Sequence, residues 1–151
     1  MRAIISVSDK TGVVELSTFL LNNGFTIYST GGTFSEISDN VPIEHTERVV
    51  QVSELTRFPE ILNGRVKTLH PHIYAGVLAD SSSHDHMVDM QMHDLPYFDL
   101  IVCNLYPFKK ENTIENIDIG GVSLIRAGSK NFSNIVVLSN IDQYTHFMEN
   151  F

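Results

Sequence analysis

Two cations, a hydroxyl and an imidazole fall within Gly64-Arg65-Val66-Lys67-Thr68-Leu69-His70-Pro71, a density of charged and proton-handling groups that a solvated loop does not require. Such a stretch could form the floor of an anion-binding active site. Run extended, its alternation would send Arg65 and Lys67 to one side and Val66 and Thr68 to the other. Pro71 blocks continuation as a central strand, and Gly64 lets the backbone enter at an angle that other residues resist. The expected object is a shaped loop. Alone, the cluster reads equally well as a solvated basic patch, so the rest of the chain has to decide.

Other stretches supply matching chemistry. Ser29-Thr30-Gly31-Gly32-Thr33 stands between a strand-like and a helix-like segment, where glycines let backbone N–H groups converge on an anion at the positive end of a helix. Ser8-Asp9-Lys10 follows another apolar run, Cys103-Asn104-Leu105-Tyr106 a third, and Asn116 to Gly121 is a second glycine-bearing turn. Each has an ordinary reading as a cap or turn; together they favour a site. His84, His86 and His93 do not make a metal centre, because His84 and His86 do not share a helical face. His70 is read first as a partner that locks the loop by hydrogen bonding, and second as a proton carrier. Cys103, in an apolar run, is read as a small buried hydrophobe rather than a nucleophile.

The elements that must position these groups alternate. Strand-like runs are Arg2 to Ser8, Phe25 to Ser29, Ile73 to Ala79, Asp99 to Leu105 and Asn134 to Ser139. Helical patterns begin at Val13 (with Val13, Leu16, Leu20 and Leu21 on one face and Gly24 as the stop), at Phe34 to Ser38, and at His84 to His93 behind Ser81-Ser82-Ser83. Further helical runs are Val122 to Ala127 and Ile141 to Asn150. A helical turn is expected over Phe58 to Leu62, and Pro42 to Leu55 is open between strand and loop. Alternation of this kind implies an α/β fold: a three-layer, open, mostly parallel sheet with helices on both faces, binding its ligand beyond the carboxyl ends of the strands.

Composition narrows the function classes. With 151 residues the chain is expected to be one domain, 1–151, able to bury a core without disulfides or metal. Eighteen acidic against ten basic residues give a net charge of -8, which argues against binding a nucleic-acid polymer. A single cysteine excludes an internal disulfide framework and fits a reducing compartment. No apolar run reaches membrane-spanning length and the start lacks a signal-peptide pattern, so a soluble cytoplasmic protein is expected.

The motifs SVSDKTG, STGGT, FPEILNGRVKTLHP, NLYPF, NIDIGG and IRAGSKN stand in the order, and near the spacing, of a known family. The chain resembles the inosine monophosphate cyclohydrolase domain of the bifunctional purine-biosynthesis protein, whose fold is methylglyoxal-synthase-like. GRVKTLHP with NLYPF carries the likeness; STGGT alone would also suit methylglyoxal synthase or a nucleotide- or phosphate-binding regulatory module of the same fold. The resemblance implies dehydrative ring closure of 5-formamidoimidazole-4-carboxamide ribotide (FAICAR) to inosine monophosphate (IMP), with no cofactor and no metal. It implies catalytic roles for Lys67, Tyr106, Asp118 and Lys130. A nucleotide and phosphate cradle would be made by Ser8, Asp9, Lys10, Ser29, Thr30, Gly31, Gly32 and Thr33 with Arg65 and Thr68, and contacts to base and ribose by Cys103, Asn104 and Ile119, beside Asp118.

Such groups suit the reaction, because a carboxamide nitrogen is a poor nucleophile and attack on the formyl carbon builds charge on its oxygen. A lysine base would have to fall from about 10.4 to about 7.5, roughly 4 kcal/mol, through burial and cationic neighbours, for which Arg65 and Lys130 are the candidates. The chain departs from the family pattern at Tyr74 and Ala75, at Val122 where proline is usual, and at Gly128-Ser129 in place of two alanines. The C-terminal part of the family's domain and its transformylase domain are expected to be absent, so folate binding is not implied; a homodimer is one arrangement the resemblance allows.

Overall fold

The computed structural model describes residues 1–109 and 112–151. β1 (Arg2–Val7) leads through α1 (Val13–Asn22) to β2 (Thr26–Ser29), and α2 (Gly31–Ser38) with a 3-10 turn over Ile43–Arg48 leads to β3 (Val49–Gln51). Then α3 (Val52–Thr56), α4 (Pro71–Leu78) and α5 (His84–Met92) precede β4 (Leu100–Asn104). A short 3-10 turn over Ile114–Asn116 precedes α6 (Gly120–Lys130), β5 (Val136–Leu138) and α7 (Gln143–Asn150). The five strands are all parallel, in the order β3-β2-β1-β4-β5.

Strand alternation divides the core into two layers. Ala3, Ile5 and Val7 of β1 pack with Val13, Leu16, Leu20 and Leu21 of α1, Ile37 of α2 and Tyr144 of α7. On the opposite face Ile4 packs with Ile73 and Val77 of α4 and with Leu124 and Ala127 of α6. Helices therefore cover both faces, as the three-layer reading expected. No helix among the described residues is long and apolar enough to cross a membrane.

Two expected elements are corrected. Ile73 to Ala79 is helix, not strand: His70 caps it, Pro71 stands at its first position, and Ile73 and Val77, four residues apart, share the buried face. Phe58 to Leu62 is not a helical turn; α3 ends at Arg57 in the left-handed region, and Pro59 disfavours helix at the residue before it. The open stretch Pro42 to Leu55 holds the 3-10 turn, β3 and the start of α3. On α5, Met90 is buried and Met87 is exposed.

At Gly76, α4 touches the chain that enters β4. A Cβ there would stand 2.2 Å from the Pro96 carbonyl oxygen and 2.8 Å from Phe98 Cδ2. Because the nearer atom is backbone, Gly76→Ala should cost about 3 kcal/mol, measured as a lowered urea midpoint. An unchanged midpoint would show that the 96–98 segment yields.

Candidate active site

Strand order reverses between β1, from which the chain runs outward to β2 and β3, and β4, from which it runs outward to β5. Beyond the carboxyl ends of the strands at this point the loops diverge and leave a crevice. A cleft of about 810 Å³ opens here, lined by Ser6 and Val7 at the end of β1 and Ser8 and Lys10 beyond it, by Thr30, Gly32 and Thr33 at α2, and by Asn104 at the end of β4 and Tyr106 beyond it. The loop from Asn63 to Leu69 and the segment from Ile114 to Gly121 complete its walls.

The cationic loop is shaped by a tight reversal. Ile61 and Val66 pair as an antiparallel bridge, and Leu62, Asn63 and Gly64 between them all take positive φ, of 54°, 53° and 81°. Backbone bonds close the reversal, from Gly64 N–H to Ile61 O at 3.1 Å and from Arg65 N–H to Leu62 O at 3.2 Å. Since the segment past Val66 is not an extended strand, strict alternation fails: Arg65, Lys67, Thr68 and Leu69 all line the cleft. That corrects the placing of Thr68 on the far side.

Lys67 sits in a slot between two glycines. A Cβ on Gly31 would lie 2.7 Å from Lys67 Nζ, and one on Gly64 would lie 2.8 Å from its Cε. Glu60 closes the slot: its Oε1 accepts from Gly31 N–H at 2.8 Å, and its Oε2 lies 3.6 Å from Lys67 Nζ. The Lys67 ammonium thus has a carboxylate as its ion-pair partner, not the cationic neighbours expected; Arg65 pairs with Glu115 instead. Lys10 stands over the next residue, with its Nζ 3.8 Å from a Cβ built on Gly32. The start of α2 is thereby split between a charge-balanced half at Gly31 and a cationic half at Gly32.

Across the cleft Asp118 performs the corresponding task for α6. Its Oδ1 accepts from Gly121 N–H at 2.7 Å and Val122 N–H at 3.4 Å, and its Oδ2 accepts from Tyr106 N–H at 3.4 Å. A carboxylate at the positive end of a helix is electrostatically favoured there. Tyr106 and Ile119 line the same wall and are largely exposed to it.

Several expected contacts have other work. The hydroxyl of Ser29 donates to Ile5 O at 2.7 Å in the buried sheet. Asn104 clamps the loop after β1, its Oδ1 accepting from Ser8 N–H at 2.8 Å and Asp9 N–H at 2.9 Å while its Nδ2 donates to Asp9 O at 2.8 Å. Asp9 Oδ1 in turn accepts from the Thr11 hydroxyl at 2.7 Å, and neither Asp9 nor Ser29 lines the cleft. Cys103 is buried beneath α6, its thiol pushed up to about 12 by burial and then by the Asp118 charge, so it is not thiolate at neutral pH and does not reach the cleft. Thr33 bridges both, lining the cleft while its hydroxyl donates to Val7 O at 3.0 Å.

Lys130 is the clearest correction of position. Gly120 opens into the cleft, but α6 then runs eleven residues, about 15 Å, back toward the strands' amino edge. Asn131, the next residue, donates to Val77 O and Ala79 O at the end of α4. Lys130 is exposed in that last turn and does not line the cleft, unlike Lys67, Tyr106 and Asp118, with which the resemblance groups it. Sequence reasoning, for its part, assigned no role to Glu60 or Glu115. Glu60 had a signal: Asn63-Gly64 between Ile61 and Val66 marks a reversal, and one step outward the residues facing each other are Glu60 and Lys67.

His70 holds the loop's exit. Its Nδ1 accepts from His72 N–H at 3.2 Å as the cap of α4, and burial, then the neighbouring His72, hold its pKa below the ordinary histidine value. A depressed value means the fold prefers neutral His70; its contribution is complete above about pH 6.5 and is lost as pH falls through the lower folded value. The urea midpoint of His70→Asn, which keeps a cap acceptor without a titrating ring, should therefore fall less between pH 6.5 and 5 than that of the unsubstituted chain. Parallel pH dependences would contradict this.

Comparison with known proteins agrees with the fold and the motifs. Bifunctional purine biosynthesis protein PurH of Leptospira biflexa serovar Patoc is 45% identical over 159 residues, covering 99% of this chain and 30% of that protein. PurH of Caldicellulosiruptor bescii is 47% identical over 152 residues, covering 95% of this chain and 29% of the relative. The chain thus spans about 30% of the length of the curated relatives it matches. The crystal structure of ForH superposes with a TM-score of 0.85 at 29% identity, covering 99% of this chain and 76% of that one. A family model described as MGS-like domain matches residues 12–123, from the residue before α1 into the second turn of α6. That match takes in the cationic loop and both helix ends that meet at the reversal of strand order, and the chain belongs to the MGS-like domain family.

Proposed function

We propose that this chain closes the purine ring, converting FAICAR to IMP and water, as the cyclohydrolase part of a purine-biosynthesis protein in the cytoplasm. The observation that carries the reading is the meeting of Lys67 from one wall with Tyr106 and Asp118 from the other around one cleft of about 810 Å³, within the size range of small-molecule sites. The PurH names of relatives at 45–47% identity support it.

In this reading the ribotide phosphate takes the cationic half of the cradle, at Lys10, Gly32 and Thr33, where a helix N-terminus and an ammonium act together. The imidazole then reaches toward Asp118 and Ile119. Attack by the carboxamide nitrogen on the formyl carbon forms the new C–N bond and moves the carbonyl pair onto oxygen, where the fixed Lys67 ammonium meets the developing charge. Asp118 accepts the carboxamide proton, and the Tyr106 hydroxyl donates toward the departing oxygen. The formyl oxygen leaves as water with one hydrogen from the carboxamide nitrogen and one from the formamido nitrogen, so no co-reactant is needed. Lys130 stays outside these assignments. An absorbance assay of IMP formation from FAICAR tests the reading: saturable, protein-dependent turnover is expected, whereas saturable IMP binding without turnover would select the regulatory module instead.

A further inference from the structure

Glu60 lies in an irregular segment between α3 and the reversal, yet it makes two directed contacts: Gly31 N–H at 2.8 Å through Oε1 and Lys67 Nζ at 3.6 Å through Oε2. Both charged side chains keep 29% of their surface exposed, so the pair lies at the cleft margin rather than in the core. Packing alone does not require a carboxylate there. What it provides is geometry: Gly31 at φ 46° and Gly64 at φ 81° leave a channel without side chains, and the ammonium that fills it meets the Glu60 carboxylate at one end. A lysine has four rotatable bonds and, unpaired at a surface, samples many rotamers. A carboxylate itself fixed by a backbone N–H removes much of that freedom before substrate arrives, which is how preorganisation lowers a barrier.

From this geometry we infer that Glu60 is a positioning residue, which anchors to the first N–H of α2 and holds the Lys67 ammonium between Gly31 and Gly64. This rests on the cyclohydrolase reading for its effect on rate, and on the slot alone for its effect on Lys67. It also divides the labour of the cradle: Gly31 is committed to Glu60, so the anion seat falls to Gly32 with Lys10. Glu60 acts through Lys67 and does not touch the reacting atoms.

Glu60→Gln is the informative variant because the amide oxygen can still accept from Gly31 N–H while the charge facing Lys67 is gone. In that variant the maximal rate should fall about tenfold or more with IMP affinity within about threefold, and Glu60→Asp, which keeps the charge, should recover part of the loss. Added to Lys67→Leu, Glu60→Gln should cost nothing further. Relaxation of the 15N-labelled Lys67 ammonium, which needs no turnover, should report a restricted group in the unsubstituted chain and a mobile one in Glu60→Gln. Unchanged ammonium relaxation, or an additive loss in the double variant, overturns the assignment. Absence of turnover in the unsubstituted chain would instead sink the cyclohydrolase reading, and the relaxation measurement would still decide the role of Glu60.

Discussion

Lys67→Leu should lower the rate of IMP formation by a hundredfold or more and weaken IMP binding about tenfold. Both losses are expected because the ammonium serves two ends. It stands in the slot between Gly31 and Gly64 on the cleft wall, and in the proposed reaction it lies next to the nucleotide cradle and faces the charge that develops on the formyl oxygen. Leucine stops at Cδ, two atoms short of the ammonium position, and carries no charge, so Glu60 would be left on Gly31 without its partner. Measured by absorbance at saturating substrate and by calorimetry with product, a rate within threefold of the unsubstituted chain would remove Lys67 from the chemistry.

The second large effect is expected at Asp118, where two roles can be separated by two substitutions. Its carboxylate caps α6 through Gly121 and Val122 and, in the proposed reaction, accepts the carboxamide proton. Asn is as good a cap as Asp but a very weak base, so Asp118→Asn should keep the melting temperature within a degree or two while losing about a hundredfold in rate. Asp118→Ala should lose the rate and also about 1 kcal/mol of stability. Equal rates for Asp118→Asn and the unsubstituted chain would leave the residue a cap and nothing more.

Much of this architecture was legible because buried parallel strands and amphipathic helices leave strong patterns. The apolar run ending at Asn104 and the Val13, Leu16, Leu20 face are such cases, and they placed the site at the strands' carboxyl edge. Where two periods fit one segment, the pattern misled. Ile73 to Ala79 has β-branched residues that suit a strand, and only the His70-Pro71 start and the four-residue spacing of Ile73 and Val77 identify a helix. The cationic loop was legible as chemistry but not as shape, since three successive residues at positive φ, one of them leucine, cannot be foreseen from composition. Lys130 was misplaced for a related reason. The helix expected to end at Ala127 continues three residues further, through Gly128, whose lack of a side chain lets it pack on Ile101 and Val137, and so carries the lysine away. Charges that balance charges across a loop, as Glu60 and Glu115 do, are the feature a linear reading is least able to reveal.

A crystal structure of this chain grown with IMP tests the central claim most directly. The phosphate should lie against Lys10, Gly32 and Thr33, the base should reach Asp118 and Ile119, and Glu60 should remain on Gly31 with Lys67 in its slot. A nucleotide bound anywhere else, for instance in the smaller hollow between Ser8, Pro107 and Ile141, or a phosphate that takes the place of Glu60 on Gly31, would contradict it.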